Sequence, residues 1–387
     1  MVTWRMRSFG PHPLALCLAT IALSLGCGSS GESPSSTAAS SSSSASAAAG
    51  ASSSGGGGSD PGGDPVPGKD AMVTAFDKTP VYFTGADNKR TVDAPASFPA
   101  TGAYAKIILH LSLDCPSGGC DPWDRLATLG VVTQKGATPA EDTVIEIERF
   151  ITPYHVGATW DIDVTDLRPL LTGDLTLRGF IDTWVGPGSQ YGDGWLLTAR
   201  FEMTGGIPAA LPVAVVPVWT MRSATYGDPA KPIPMSVPPQ TLTLPAGATS
   251  FALRTFVTGH GQGNAKNCAE FCAKSHTLTV GSTPHVAKVW RTDCAKTAAP
   301  NQEGTFQYSR AGWCPGADVK PWTFDITGDV AGGAAAIAYD VEAYENTCRP
   351  DGPMPCAGCT LGSTCDYDGG NHTEPNYSIS TLLIAYR

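Results

Sequence analysis

Three short stretches of this 387-residue chain set reactive side chains beside cysteines. In the first, Cys115-Pro-Ser-Gly-Gly-Cys120 runs into Asp121-Pro-Trp123-Asp124-Arg125, so a small disulfide loop would fix the backbone just before an aromatic ring, a carboxylate and a guanidinium. In the second, Cys268 and Cys272 bracket Ala-Glu270-Phe271 and do the same for a lone glutamate. The third, Ser309-Arg310-Ala-Gly-Trp313-Cys314, holds an arginine and a tryptophan through a longer bridge, for which Cys294 is the most suitable partner. Asp182 and Trp184, in FIDTWVG, stand late in a strand-like run from which they could join the group. Carboxylates brought close together push each other's pKa apart, which lets one act as acid and the other as base at the same pH. Taken singly each stretch has a plain structural explanation, since Asp-Arg neighbours are usually surface ion pairs worth little. Three stapled polar stretches together point to a built site, because functional side chains must be held rigidly.

The elements that would position these residues are strands. After residue 70 the chain alternates short runs rich in Val, Ile, Leu, Thr and aromatics with Gly, Pro and Asp: AKIILHLSL, TVIEIERFI, DLTLRGFIDTW, WLLTARFEM, VAVVPVW, FALRTFV, HTLTV, HVAKVW, WTFDI, IAYDVEAY and ISTLLIAY. Only DVTDLRPLL has a helix-like start, and it is short. This spacing predicts an all-β protein of around sixteen strands, too many for one sandwich and natural for two jelly-roll sandwiches packed side by side. The N-terminal sandwich is expected over residues 70–212 and the C-terminal one over 213–387.

Composition narrows the classes. Net charge is −10 with a pI near 5.1, so the chain lacks the basic footprint of a nucleic-acid binder. No apolar run of about 18 residues follows the first thirty positions, which removes a polytopic helical membrane protein. Arg5 and Arg7 precede the apolar stretch Leu14 to Leu25, and this reads as a secretory signal over residues 1–26. Small residues before Cys27 resemble a bacterial lipoprotein signal, with lipidation of Cys27 expected and plain secretion the alternative. Residues 27–69 are Ser, Ala and Gly followed by Pro-Gly-Asp, with almost nothing to bury, and are expected to form a flexible stalk. The expected location is therefore the bacterial outer membrane or cell surface, or the medium, with the chain a monomer.

Of the 12 cysteines, Cys17 and Cys27 belong to the signal. The even remainder in an oxidising compartment predicts disulfides. Cys348, Cys356, Cys359 and Cys365 fall in one Pro- and Gly-rich segment, read as two further bridges, with a zinc site the alternative.

A resemblance then emerges from motifs in register. CDPWDR (120–125), RFITPYHVG (149–157), DVTDLRPLL (163–171), FIDTW (180–184), AVVPVW (214–219), CAEFC (268–272) with SHTLTV after it, and RAGWCPG (310–316) are similar, in order and in gaps, to the peptide-N-glycosidase F family. The matches run from about Phe76 to the C-terminus. The resemblance implies two eight-stranded antiparallel jelly rolls with the site at their interface. It also implies hydrolysis of the amide between N-acetylglucosamine and asparagine in N-linked glycoproteins or glycopeptides, with no metal and no cofactor. Residue by residue, Asp124 matches the family's principal catalytic Asp, Glu270 its second essential carboxylate, Arg310 the arginine that polarises substrate, and Arg125 a neighbour of the catalytic Asp. Asp182 stands where the family has Glu, one methylene longer. His260 and Phe271 each replace a Trp, and Trp123, Trp184, Trp313 and His260 are expected to line the substrate.

Two other classes compete. A surface glycan-binding lipoprotein would keep the fold and lose turnover through the changes at Asp182, His260 and Phe271; the presence of Asp124, Glu270 and Arg310 together argues for the enzyme. Copper-dependent, ascorbate-using monooxygenases share a similar fold, but they need several His ligands. Here His110, His155, His260, His276, His285 and His372 are isolated, with no His-x-His pair.

Overall fold

The computed structural model describes residues 64–263, 268–349 and 374–387. The signal, the stalk up to residue 63, and Cys356, Cys359 and Cys365 lie outside the described residues, so the readings that fall on them are not addressed by it. The ordered architecture is almost entirely antiparallel sheet.

The first sandwich is built from β1 (Ala71–Phe83), β2 (Asn88–Lys89), β3 (Thr91–Phe98), β4 (Tyr104–Asp114), β5 (Leu126–Gln134), β6 (Thr143–Ile151), β7 (Ala158–Asp163), β8 (Gly173–Ile181) and β9 (Trp195–Gly205). One sheet has the order β2-β1-β9-β4-β7 and the other β3-β8-β5-β6. The second sandwich is built from β10 (Pro212–Thr225), β11 (Gln240–Thr243), β12 (Ser250–His260), β13 (Lys274–Val280), β14 (Thr283–Val289), β15 (Trp322–Asp325), β16 (Ala334–Val341) and β17 (Asn376–Tyr386). Its sheets are ordered β10-β17-β12-β15 and β11-β16-β13-β14. Leaving aside the two-residue β2, the two orders are the same eight-stranded jelly roll written twice.

The eleven quoted runs fall on strands, and three of the strands they leave out have identifiable physical causes. β3 and β11 are sheet edges, the first carrying Pro95, which an edge tolerates because it need not donate to a ladder. β1 loses its alternation at two register shifts between Thr74 and Thr79. DVTDLRPLL forms only a 3-10 turn at Thr165–Leu167.

Strand directions place the connections. β1 and β4 both run antiparallel to β9, so they run the same way and end at the same end of the sandwich. β9 and β7 run against them and therefore begin there. The β1–β3, β4–β5, β6–β7 and β8–β9 connections thus gather at one end. The same pairing logic gathers β12–β13 with β14–β15 in the second sandwich.

The two sandwiches contact each other through β6, β12 and β17. Strand β17 is buried along nearly its whole length, and its Leu382, Ile384 and Tyr386 join the core of the first sandwich while Ile379, Leu383 and Ala385 join that of the second. That is why ISTLLIAY reads as a continuous apolar run. Strand β6, otherwise an open edge, is covered by residues 316–319: Val319 N donates to Arg149 O (2.8 Å) and Ile151 N to Ala317 O (3.1 Å). Buried Arg149 forks onto Glu146 (2.7 and 2.8 Å) and donates to Thr258 Oγ1 (3.0 Å) and Ser378 O (2.6 Å), tying β6 to β12 and β17.

Candidate active site

Asp124 is delivered by the β4–β5 connection, and the chain around it is fixed from three directions. Disulfide Cys115–Cys120 closes the preceding loop. The fully buried carboxylate of Asp121 accepts from Trp123 N (2.9 Å), Arg125 Nε (3.1 Å) and Thr183 Oγ1 (2.6 Å). Thr152 Oγ1 donates to Trp123 O (2.9 Å) and accepts from Arg125 N (2.8 Å), so one hydroxyl grips the peptides on both sides of Asp124. Thr152 carries no local signal of this role, which appears only when β6 lies beside β5, whereas Asp121 reaches Trp123 and Arg125 within four residues.

Glu270 comes from the matching β12–β13 connection, inside the Cys268–Cys272 disulfide. Its N–H donates to Gly261 O (3.1 Å) and its carbonyl accepts from Ala311 N (2.9 Å), which seats it between two segments of the second sandwich. Arg310 arrives from the β14–β15 connection, four residues before Cys314 of the Cys294–Cys314 bridge.

These three side chains converge. Arg310 Nε donates to Glu270 Oε1 at 3.3 Å and its Nη2 lies 3.7 Å from Asp124 Oδ2. Its remaining donors go to Thr305 O and Tyr308 O (3.0 Å each), Thr305 Oγ1 (2.9 Å) and Tyr154 Oη (3.4 Å). The guanidinium rests near the rings of Trp313 (4.9 Å) and Phe271 (5.1 Å) and is 1% exposed. Every N–H of Arg310 has a protein acceptor, and its buried charge bridges two carboxylates. Arg125 is the contrasting case: it lies over the Trp123 ring at 5.1 Å, and among the described residues neither of its Nη atoms has an acceptor.

Tyr154 was not a sequence candidate, although it sits in RFITPYHVG. Its hydroxyl donates to Asp124 Oδ2 at 2.7 Å and lies 3.2 Å from Thr305 Oγ1. Gln262 likewise donates to Glu270 Oε2 at 3.3 Å. Neither had a partner within reach along the chain that could have marked it.

The electrostatics separate the two carboxylates. Burial and the nearby Asp124 charge push Glu270 up to about 7, against Arg310 and Gln262, which pull it down. Asp124 is raised by burial, while the Tyr154 hydroxyl and the Arg310 charge hold it back. Glu270 can therefore hold a proton near neutral pH. Tyr154 is raised by burial and by Asp124, so it stays a phenol and a donor.

The remaining sequence candidates divide. Trp123 (40% exposed) and Trp184 (53% exposed) present open rings, joined by Tyr191, 5.3 Å from Trp123. Trp313 does not: it is 3% exposed, donates to Gly259 O (2.7 Å) and packs with Ile151, Phe256 and Val319, so its expected contact with substrate is corrected to a core role beneath Arg310. His260 stacks on Trp313 (5.5 Å), with Nε2 2.8 Å from Thr258 Oγ1. Burial and the Arg149 charge hold it down to about 3, so it is a neutral ring at the edge of the contact between sandwiches. Asp182 is not brought onto Asp124 or Glu270; its Oδ1 accepts from Arg90 Nη1 at 3.2 Å. Among the described residues no cluster of His, Cys, Asp and Glu could hold a metal ion, and Cys348 is disulfide-bonded.

A double jelly roll with two carboxylates either side of a buried arginine defines a class of hydrolase built on paired acid and base groups. The family model described as peptide-N-glycosidase F, C terminal, matches residues 232–357. Peptide-N(4)-(N-acetyl-beta-D-glucosaminyl)asparagine amidase F of Elizabethkingia miricola is 29% identical over 288 residues, covering 71% of this chain and 78% of that protein. The solved structure of recombinant peptide: N-glycanase F superposes with a TM-score of 0.66 at 25% identity, over 82% of this chain and 96% of the other. That of peptide-N-glycosidase F, a glycosylasparaginase from Flavobacterium meningosepticum, does so with a TM-score of 0.65 at 24% identity over the same shares, which speaks for the fold. In sequence and in fold the chain is similar to the peptide-N-glycosidase F family.

Proposed function

We propose that this protein is an exported amidase that cleaves the bond between N-acetylglucosamine and the asparagine side chain of glycoproteins or glycopeptides. The observation that carries the reading is the placement of Asp124 and Glu270, one from each sandwich, 3.7 and 3.3 Å from the Arg310 guanidinium. In the reaction a water oxygen bonds to the amide carbon, the C–N bond breaks, the sugar leaves as a glycosylamine and the asparagine becomes aspartate. Asp124, ionised and oriented by Tyr154, accepts the water's proton. Glu270, protonated near neutral pH, delivers a proton toward the leaving nitrogen. The buried Arg310 charge and the unpaired donors of Arg125 stabilise the developing oxyanion. Trp123 and Trp184 offer faces to sugar rings, and Asp182 accepts from sugar hydroxyls. The disulfides support export; Cys27 is the proposed lipid anchor and residues 27–69 the tether of a monomer. The grip of Arg90 on Asp182 favours, as second reading, a glycan-binding lipoprotein with weak turnover.

Incubation of the purified protein with a denatured N-glycoprotein tests this, following glycan release together with the asparagine-to-aspartate mass change. Asp124→Asn and Glu270→Gln are each expected to lose about a thousandfold, within the usual contribution of a positioned acid or base. Binding of glycopeptide by the parent without any release would shift the conclusion to the second reading.

A further inference from the structure

Arg90 stands in the connection between β1 and β3, at the end of the first sandwich where the other site connections gather. Its guanidinium carbon lies 4.3 Å from the ring centroid of Trp184 and 5.0 Å from that of Phe83, and Nη1 donates to Asp182 at 3.2 Å. The Phe83 ring meets Trp184 edge-on at 5.1 Å. One planar cation therefore packs against the indole and pairs with the carboxylate two residues before it in the chain.

The clamp is itself braced. Asn88 Oδ1 accepts from Arg90 Nε (3.1 Å) and from its main-chain N–H (3.3 Å), Arg90 O accepts from Ile181 N (2.9 Å), and Phe83 N donates to Val185 O (2.9 Å). Arg90's side chain is 20% exposed, whereas Trp184 is 53% exposed. The indole is thus backed by the protein and open to ligand. A lone surface ion pair would be worth little, but one that also stacks on a ring fixes two ligand-facing groups at once.

We propose that Arg90 is a positioning and specificity-determining residue, which fixes Asp182 and Trp184 as one preformed platform for a sugar ring of the substrate. The ring's C–H face lies on the indole and a hydroxyl donates to the ionised Asp182. Arg90 touches neither the sugar nor the scissile amide; it acts through the other two. The inference rests on the amidase reading for the identity of the ligand and on the geometry alone for the platform.

The test measures kcat and KM on a fluorescent N-acetylglucosaminyl-asparagine glycopeptide. In parallel, the same glycopeptide is titrated by tryptophan fluorescence into the Asp124→Asn form, which removes turnover. Arg90→Ala is expected to raise KM and Kd about tenfold, since a desolvated cation-π and ion pair of this size is at stake, with kcat within threefold. Arg90→Lys, which keeps charge without the planar fork, is expected to lie between parent and alanine. In an Asp182→Asn background Arg90→Ala should cost less than in the parent, because one of its two pathways, the pairing with Asp182, has been removed. Equal costs of Arg90→Ala in both backgrounds, or a Kd indifferent to it, overturn the proposal. Glycopeptide binding that depends on Arg90 without any hydrolysis would leave the platform standing and remove the amidase reading instead.

Discussion

The two sandwiches repeat one strand order and offer the site from matching places. Asp124 leaves the β4–β5 connection behind the Cys115–Cys120 loop, and Glu270 leaves the equivalent β12–β13 connection inside the Cys268–Cys272 loop. The second contribution also comes from matching connections: Tyr154 follows β6, and Arg310 follows β14. The scaffold is thus nearly symmetric while the chemistry is not. A phenol donates to Asp124 and holds back the rise that burial causes, whereas Glu270 faces burial and the Asp124 charge and is pushed up to about 7. The asymmetry that makes one group a base and the other an acid resides in what the neighbouring connection carries, with the carboxyl type secondary.

The sharpest way to break this contrast is at Arg310, the one side chain both carboxylates share. Arg310→Lys keeps a charge but cannot reach Glu270, Thr305, Tyr308 and Tyr154 together from a single ammonium. The expected loss is about a hundredfold in kcat/KM, in the range for removing one preorganised electrostatic partner, with a lower thermal midpoint. A lysine variant within threefold of the parent would mean that charge alone suffices and the fork is incidental.

Tyr154→Phe sharpens the comparison rather than collapsing it. The phenol donates to ionised Asp124, so removing it raises the Asp124 pKa further from its ordinary value. A hydrogen bond to a charged group is worth about 1.5–3 kcal/mol, and one pKa unit is about 1.4 kcal/mol. The acid limb of the kcat/KM profile should therefore move by about one unit toward higher pH. The alkaline limb, where Glu270 gives up its proton near 7, should stay in place because Tyr154 makes no bond to it. Movement of both limbs together would show that the two carboxylates titrate as one unit.

How much of this was legible in the chain follows from what is local. The stapled motifs marked Asp124, Glu270 and Arg310, because a disulfide loop and its polar neighbour are written within a few residues. Strand alternation gave the double sandwich for the same reason. Tyr154 and Thr152 were hidden, since their partners are brought to them by strand pairing and, for the contacts of Tyr154 with Thr305 and Arg310, by the meeting of two sandwiches; Asp121 bonds locally to Trp123 and Arg125, and only its bond to Thr183 depends on the fold. Aromatic type says nothing about exposure: Trp313 and His260 look like sugar platforms in sequence, and the fold stacks them on each other, Trp313 under Arg310 and His260 against Thr258. Asp182 misled in another way, as its strand position was right and its partner, Arg90, lay 92 residues away.

The smallest expected effects distinguish the three bridges by what each holds. Loop-closure entropy assigns about 2 kcal/mol to a loop of five residues and about 3 kcal/mol to one of twenty, and the bridges here span separations of 5, 4 and 20. A Cys294→Ser/Cys314→Ser double variant should therefore lower the thermal midpoint more than opening either short loop. Activity should rank the other way. The short loops set the backbone of Asp124 and Glu270 directly, whereas Arg310 keeps its main-chain bridge to Arg291 and its bonds to Thr305 and Tyr308 without the long bridge. Opening Cys268–Cys272 is expected to cost about tenfold in kcat, since small misplacements of a reacting group weigh heavily, and opening the long bridge about twofold. If midpoint and kcat instead fall in the same order across the three variants, the short loops are staples of the fold and the carboxylates are positioned by the strand pairing around them.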